Sequence, residues 1–302
     1  MCGIIGYLSK APRSELKHIT TKMFISAQSR GTDATGIGYL NENNNVVVHK
    51  QAGCAGKYIN TDVWKKLQMP KVFIGHTRSA TRGEPSDNKN NHPLYSKSSR
   101  LAIAHNGVIG NYALVCKEHK LKPDGEVDSE VILKLIDKFL DNSKSLVDAV
   151  KKSMKEISGS ATFSLIGDDY PDTLVLVKSS NPLWLAYVEE LDTIFFASTK
   201  GILQAGLEKN ILKFGFFEKR VPQYKVIYQE AGDDTCIVVT LQNGEYKVGF
   251  KEIETAPTYY YVGDSKPHTA KQKGFWNDEK NIKEYNGSTD GIYGLDPECY
   301  GD

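Results

Sequence analysis

The 302-residue sequence lacks an excess of charge of either sign: 38 Lys and Arg stand against 37 Asp and Glu, a formal net charge of +1. Nothing in that balance draws the chain to phosphate backbones or anionic lipid, so neither nucleic acid nor membrane is an expected partner. It also lacks any apolar run near the ~18 residues needed to cross a bilayer, and its first residues lack the basic stretch of a secretory leader. The expected location is therefore cytoplasmic. The five cysteines, Cys2, Cys54, Cys116, Cys236 and Cys299, are odd in number, scattered and never spaced C-x-x-C. That argues against a zinc site or a disulfide framework and leaves reduced thiols as the expectation. Internal repeats are missing too.

What is present is a succession of short β-type runs, at 3–8, 35–40, 46–50, 72–77, 101–104, 161–166, 173–177, 183–188, 193–197 and 235–241. Helical spacing is confined to 14–29 (Leu16, Ile19, Met23, Ala27), 129–140 (Val131, Ile132, Leu135, Ile136, Phe139) and 145–157 (Leu146, Val147, Val150, Met154, Ile157). The helices fall in blocks between groups of strands and do not alternate with them one to one. That order predicts an α+β protein of antiparallel sheets with helices packed outside. Residues 41–45 and 86–91 are polar turn-formers and read as surface loops. From about Thr255 the period is lost, with five Lys against eight Asp and Glu through Asp302. That stretch is expected to be partly disordered, either as a solvated end or as a segment that docks on a partner through Tyr259 to Tyr261, Phe275 and Trp276.

Cys2 follows the initiator methionine and precedes a glycine. Trimming of Met1 would join a thiol of pKa ~8.5 and an α-amine of pKa ~7.7–8.0 in one residue, a nucleophile carrying its own base. Three later segments have the chemistry such a residue needs. Arg30-Gly31-Thr32-Asp33 is a polar, glycine-containing turn between a helix and a strand. Ile74-Gly75-His76-Thr77-Arg78-Ser79-Ala80-Thr81-Arg82-Gly83 ends an apolar strand with two arginines, and an arginine fork suits a carboxylate. His105-Asn106-Gly107 follows another apolar strand. Asn-Gly alone reads as a turn, or it presents an amide and a backbone N–H to one developing oxyanion.

Taken together, Cys2-Gly3-Ile4-Ile5-Gly6, Arg30-Gly31-Thr32-Asp33, His76-Thr77-Arg78-Ser79-Ala80-Thr81, His105-Asn106-Gly107 and Asp128-Ser129-Glu130 resemble, in order, the glutaminase domain of class II glutamine amidotransferases. These are N-terminal-nucleophile hydrolases, and the wording is nearest to the glutaminase half of glucosamine-6-phosphate synthase. The resemblance covers residues 2 to about 240, with weaker echoes in Gly159-Ser160-Ala161, Asn181-Pro182-Leu183 and Ala197-Ser198-Thr199. It implies a four-layer α/β/β/α sandwich of two antiparallel sheets. It also implies that Cys2 attacks the side-chain amide of glutamine to form a γ-glutamyl thioester, with Asn106 and Gly107 as oxyanion hole and Arg30 close to the terminus. Arg78, with Thr81 nearby, would hold the substrate α-carboxylate and Asp128 the α-ammonium. The amine's role as base leaves His76 and His105 as structural hydrogen-bonders. Asp128 also reads as an N-cap of the helix that follows it.

The pattern departs from the amino-sugar enzymes at Ser79, where they have tryptophan, and at Arg82, where they have histidine. The expected division is a glutaminase domain over 2–240 and a C-terminal extension over 241–302, too short for a synthase domain. The expected activity is a stand-alone glutaminase subunit that supplies ammonia to a separately encoded synthase and requires no metal or organic cofactor. The alternatives are hydrolysis of another γ-glutamyl or N-acyl amide, and a non-catalytic binding or assembly protein on the same fold.

Overall fold

The computed structural model describes residues 1–141, 145–214, 217–256, 259–260 and 268–269. The chain runs through β1 (Gly3–Ser9), α1 (Glu15–Ala27), β2 (Ala34–Leu40), β3 (Val46–Ala52), the short α2 (Ala55–Tyr58) and α3 (Asp62–Lys66), β4 (Val72–Arg78), β5 (Leu94–Ser96) and β6 (Leu101–Ile109). It continues through α4 (Tyr112–His119), α5 (Glu130–Leu140), α6 (Leu146–Glu156), β7 (Gly159–Gly167), β8 (Thr173–Lys178), β9 (Trp184–Val188), β10 (Thr193–Ala197) and α7 (Lys200–Leu207). The hairpin β11 (Glu208–Phe214) and β12 (Phe217–Pro222) leads to β13 (Val226–Glu230), β14 (Thr235–Gln242) and β15 (Glu245–Glu252).

The two large sheets among the described residues run in the orders β13-β9-β10-β1-β4-β2-β3 and β15-β14-β8-β7-β6-β5, with antiparallel pairing. Alternation along the strands sorts their side chains into layers. Ile4 and Leu8 of β1, Val72 and Ile74 of β4, and Ala102 and Ala104 of β6 meet Leu174, Leu176, Ile237 and Val239 between the sheets. The opposite faces of β1 and β4, through Ile5, Tyr7 and Phe73, pack under α1 and α7 against Leu16, Ile19, Met23, Phe24, Ile202 and Leu203. Ile103, Phe163 and Leu165 of the second sheet pack under Val131, Ile132, Leu135, Val150 and Met154 of α5 and α6. Each such side chain contributes roughly 1.5–3 kcal/mol on burial. The result is the α/β/β/α layering expected from the sequence.

Three expectations shift. The boundary at 240 falls inside β14, and β15 extends the same sheet to Glu252. Residues 90 and 91, read as part of a surface loop, are fully buried. Cys2, Cys116 and Cys236 are free thiols, whereas Cys54 is disulfide-bonded, against the expectation of reduced thiols. Most of the C-terminal stretch from about 255, including Tyr261, Phe275 and Trp276 of the docking aromatics named above, lies outside the described residues. Among the described residues, no helix is long and apolar enough to cross a membrane.

Candidate active site

Cys2 immediately precedes β1, and β1 lies between β10 and β4 with Gly3 opposite Thr77. The strand is pinned at its start, where Ile4 N–H donates to Ser198 Oγ at 2.8 Å and Ser198 N–H returns a bond to Ile4 O at 2.9 Å. This register sets Cys2 beside the end of β4. Its Sγ accepts from Ser79 N–H at 3.4 Å and lies 3.5 Å from Ser79 O. Met1 is 71% exposed, so the bond before Cys2 lies at the surface.

The 30–33 turn ties these two chain segments together. Arg30 Nε donates to Cys2 O at 2.8 Å. Asp33 N–H donates to Arg78 O at 3.0 Å, and Asp33 Oδ2 accepts from Ala80 N–H at 2.7 Å. Gly31 is required by proximity, because a Cβ there would collide with the Arg78–Ser79 peptide. Burial pushes the Cys2 thiol above its ordinary range. The Ser79 N–H, the terminal ammonium and the Arg78 and Arg30 guanidinium groups pull it back.

Arg78 ends β4 and is buried between the sheets. Its Nη1 donates to Asn91 Oδ1 at 2.8 Å, and its Nη2 donates to the carbonyls of Arg82 at 2.5 Å and Gly83 at 2.7 Å. The 79–83 loop is thus folded back onto the arginine, with Thr81 exposed on it. Arg82 stacks over the Tyr112 ring, 5.1 Å from its centroid. Charges of Cys2, Asp33, Glu84 and Asp128 act on Arg78.

His105, Asn106 and Gly107 lie within β6 and not in a turn after it, paired with Phe163, Thr162 and Ala161 of β7. Gly107 is needed there, because any Cβ would overlap the Ser160 carbonyl oxygen. Asn106 is 2% exposed, its carbonyl accepts from Asn181 Nδ2 at 3.0 Å, and its own buried Nδ2 has no hydrogen-bond partner. A buried amide donor left unpaired costs about 1–3 kcal/mol.

His76 Nε2 donates to His105 O at 2.9 Å, which brings β4 and β6 together at this end of the sandwich. His105 Nε2 donates to Ser160 O at 3.3 Å, so its Nδ1 accepts from Ser129 Oγ at 2.7 Å. Burial holds His76 down to about 3 and keeps His92 and His105 below the ordinary histidine range. Neutral rings in bonds to backbone and hydroxyl fit the structural role expected for His76 and His105.

Asp128 is 7% exposed, and its Oδ2 accepts from Ile109 N–H at 2.6 Å. It does not cap α5. Ser129 occupies that position and makes no side-chain cap bond. The loop before it is held by Glu130, whose carboxylate accepts from Asp124 N–H at 2.7 Å and Gly125 N–H at 2.8 Å. Sequence reasoning missed Lys50, Asn90 and Asn91, which support this end of the sandwich. Its three weaker echoes fall on supporting positions, namely Ser160, Asn181 and Ser198.

Residues 1–186 match the family described as class-II glutamine amidotransferases. The glutamine–fructose-6-phosphate aminotransferase (isomerizing) of Bacteroides thetaiotaomicron is 33% identical over 204 residues, 66% of this chain and 32% of the relative. Its Clostridium acetobutylicum counterpart is 35% identical over 199 residues, 63% of this chain and 30% of the relative. The chain thus spans about a third of the length of these curated relatives. The structure of glutamine phosphoribosylpyrophosphate amidotransferase from B. subtilis superposes with a TM-score of 0.60 at 20% identity, covering 82% of this chain and 49% of that one.

Proposed function

Since the chain belongs to the class II glutamine amidotransferases, we propose that it hydrolyses the side-chain amide of L-glutamine with Cys2 as nucleophile and releases ammonia to a separately encoded synthase. Removal of Met1 frees the α-amine, which takes the thiol proton as sulfur bonds to the amide carbon. The carbonyl π electrons move to oxygen, and that oxyanion is received by Asn106 Nδ2 and Gly107 N–H. Collapse breaks the C–N bond, the amine returns its proton to the leaving nitrogen, and a γ-glutamyl thioester remains. Water, deprotonated by the same amine, cleaves the thioester to give glutamate and the free thiol.

Arg78 and Asp128 hold the α-carboxylate and α-ammonium, with Thr81 near the carboxylate. A fixed cation and a fixed anion reject amides lacking an amino-acid head. Arg30 orients the N-terminus through the Cys2 carbonyl. A glutaminase unit that includes β14 and β15, a separate role for the stretch beyond Glu252 and a cytoplasmic setting belong to the same proposal.

The observation that carries this reading is the unpaired, buried Nδ2 of Asn106, a donor whose unmet bond a developing oxyanion fulfils. The test is incubation of purified protein with glutamine, reading glutamate and ammonia, beside Cys2→Ala and with the N-terminus identified by mass spectrometry. Equimolar products from the Met1-free protein and none from the variant are expected. Failure of the wild type to turn over, even with candidate synthases added, would overturn the proposal.

A further inference from the structure

Asn91 is fully buried and each polar atom of its side chain is used. Its Oδ1 accepts from Arg78 Nη1 at 2.8 Å, and its Nδ2 donates to Pro85 O at 2.7 Å and Asn88 Oδ1 at 3.0 Å. Below it, Lys50 Nζ, reaching in from β3, donates to Asn91 O at 2.6 Å and Pro93 O at 3.1 Å. Gly36 of β2 lets this segment lie flat on the sheet, since a Cβ there would strike the His92 carbonyl. Asn90, equally buried, turns the other way: its Oδ1 accepts from Glu126 N–H at 2.9 Å and its Nδ2 donates to Glu126 Oε2 at 3.1 Å. Two adjacent asparagines therefore brace two arms, one ending at Arg78 and the other leading to Asp128.

We propose that Asn91 is a positioning residue for substrate recognition, fixing the Arg78 guanidinium so that its Nε–Nη2 edge receives the α-carboxylate of an amino-acid substrate. The proposal rests on the glutaminase reading above. A guanidinium donates two parallel bonds to a carboxylate along an edge that includes Nη2, either Nε–Nη2 or Nη1–Nη2. Asn91 occupies Nη1, which leaves the Nε–Nη2 edge for the ligand. Nη2 is at present shared by the neutral carbonyls of Arg82 and Gly83, and a charged carboxylate is the stronger acceptor. Binding then releases the 79–83 loop from Arg78 while the Asn91 bond persists. Without Asn91 the guanidinium swings, and ordering it is charged against substrate binding. The chemical step at Cys2 is untouched.

The experiment compares wild type and Asn91→Ala on L-glutamine and on its α-amide, which lacks the carboxylate, by initial rates of ammonia release. The expected result is a rise of about tenfold in KM for glutamine with kcat within about twofold. KM for the α-amide should stay put, so the preference for glutamine falls by the same factor. A merely structural role would weaken both substrates alike, and that outcome, or an unchanged preference, overturns the inference. If Asn91→Ala does not fold, Lys50→Met, which withdraws the support beneath Asn91, is read by the same ratio. It should shift in the same direction by a smaller factor, and no shift overturns the inference. Wild-type protein that releases no ammonia from glutamine would instead sink the glutaminase reading itself.

Discussion

Arg30 Nε donates to the Cys2 carbonyl oxygen at 2.8 Å, so a residue 28 positions along the chain holds the peptide unit that carries the proposed nucleophile. The same guanidinium is one of the positive charges that draw the buried thiol back toward ionisation. Arg30→Ala should therefore raise the Cys2 pKa further. The expected readout is slower alkylation of Cys2 by iodoacetamide at neutral pH, with the pH–rate curve moved to higher pH and the rates at Cys116 and Cys236 unchanged. A curve that stays in place would show that Arg30 acts on geometry alone.

Asn106→Ala removes a donor that the resting fold leaves unpaired. Stability should hold or rise, because no protein bond is lost and one unmet polar group disappears. Turnover should fall by about 10²–10³, the usual loss for one oxyanion donor. Thermal melts and ammonia release measure the two effects on one sample. A fall in both together would place Asn106 in the scaffold and not at the reacting atoms.

Asp128 combines a backbone bond to Ile109 with a negative charge that acts on Arg78 and His105. Asp128→Asn keeps an oxygen for Ile109 N–H and drops the charge. The expected outcome is a melting temperature near that of wild type and a rise in glutamine KM of about 10-fold or more. Asp128→Ala should add a stability loss of roughly 1–3 kcal/mol, as it also orphans the Ile109 N–H. Equal KM values for wild type and Asp128→Asn would remove the ammonium-binding role.

The His92 ring lies against His76, tilted by 33° with ring centroids 4.5 Å apart, and both of its ring nitrogens are buried without a partner. Its pKa lies well below 6.5 because burial, the first cause, and neighbouring His76, His105, Lys50 and Arg78 oppose a charge there. The unfolded chain therefore binds a proton that the fold refuses, and stability is lost as pH falls below about 6.5, by up to ~1.4 kcal/mol per pH unit for each such group. His92→Leu should flatten that decline. In urea titrations the variant should gain on the wild type between pH ~7 and ~5. Parallel curves would show that His92 does not contribute to the slope.

Which parts of this were legible in the sequence follows from the kind of signal each part emits. Leu16, Ile19, Met23 and Ala27 face one way at helical spacing, and α1 forms there. The short apolar β-type run predicts a strand over 72–77, and the strand gains one residue, Arg78. The Asn-Gly pair misleads because its turn propensity is local, whereas pairing with Thr162 and Ala161 of β7 keeps β6 extended through it. Asn90 and Asn91 misled for the same reason. A run of polar residues looks solvated, and only tertiary contacts with Arg78, Glu84 and Glu126 reveal that it is buried and bonded. Strand β15 is absent from the sequence reading although Tyr246, Val248 and Phe250 alternate there with Glu245, Lys247, Gly249 and Lys251, with Val248 and Phe250 exposed.

The Ile4–Ser198 bonds have a consequence for synthesis. Cys2 leaves the ribosome ahead of its partners, yet the pairing that seats its strand needs Ser198, 194 positions beyond Ile4. The nascent thiol is therefore outside its cradle until β10 and Ser198 have emerged. Contacts across so wide a sequence separation form slowly, because the intervening loop must close before they reward it. A chain stopped short of β10 would carry the sulfur without the seat, so the proposed chemistry would have to wait for that strand to emerge.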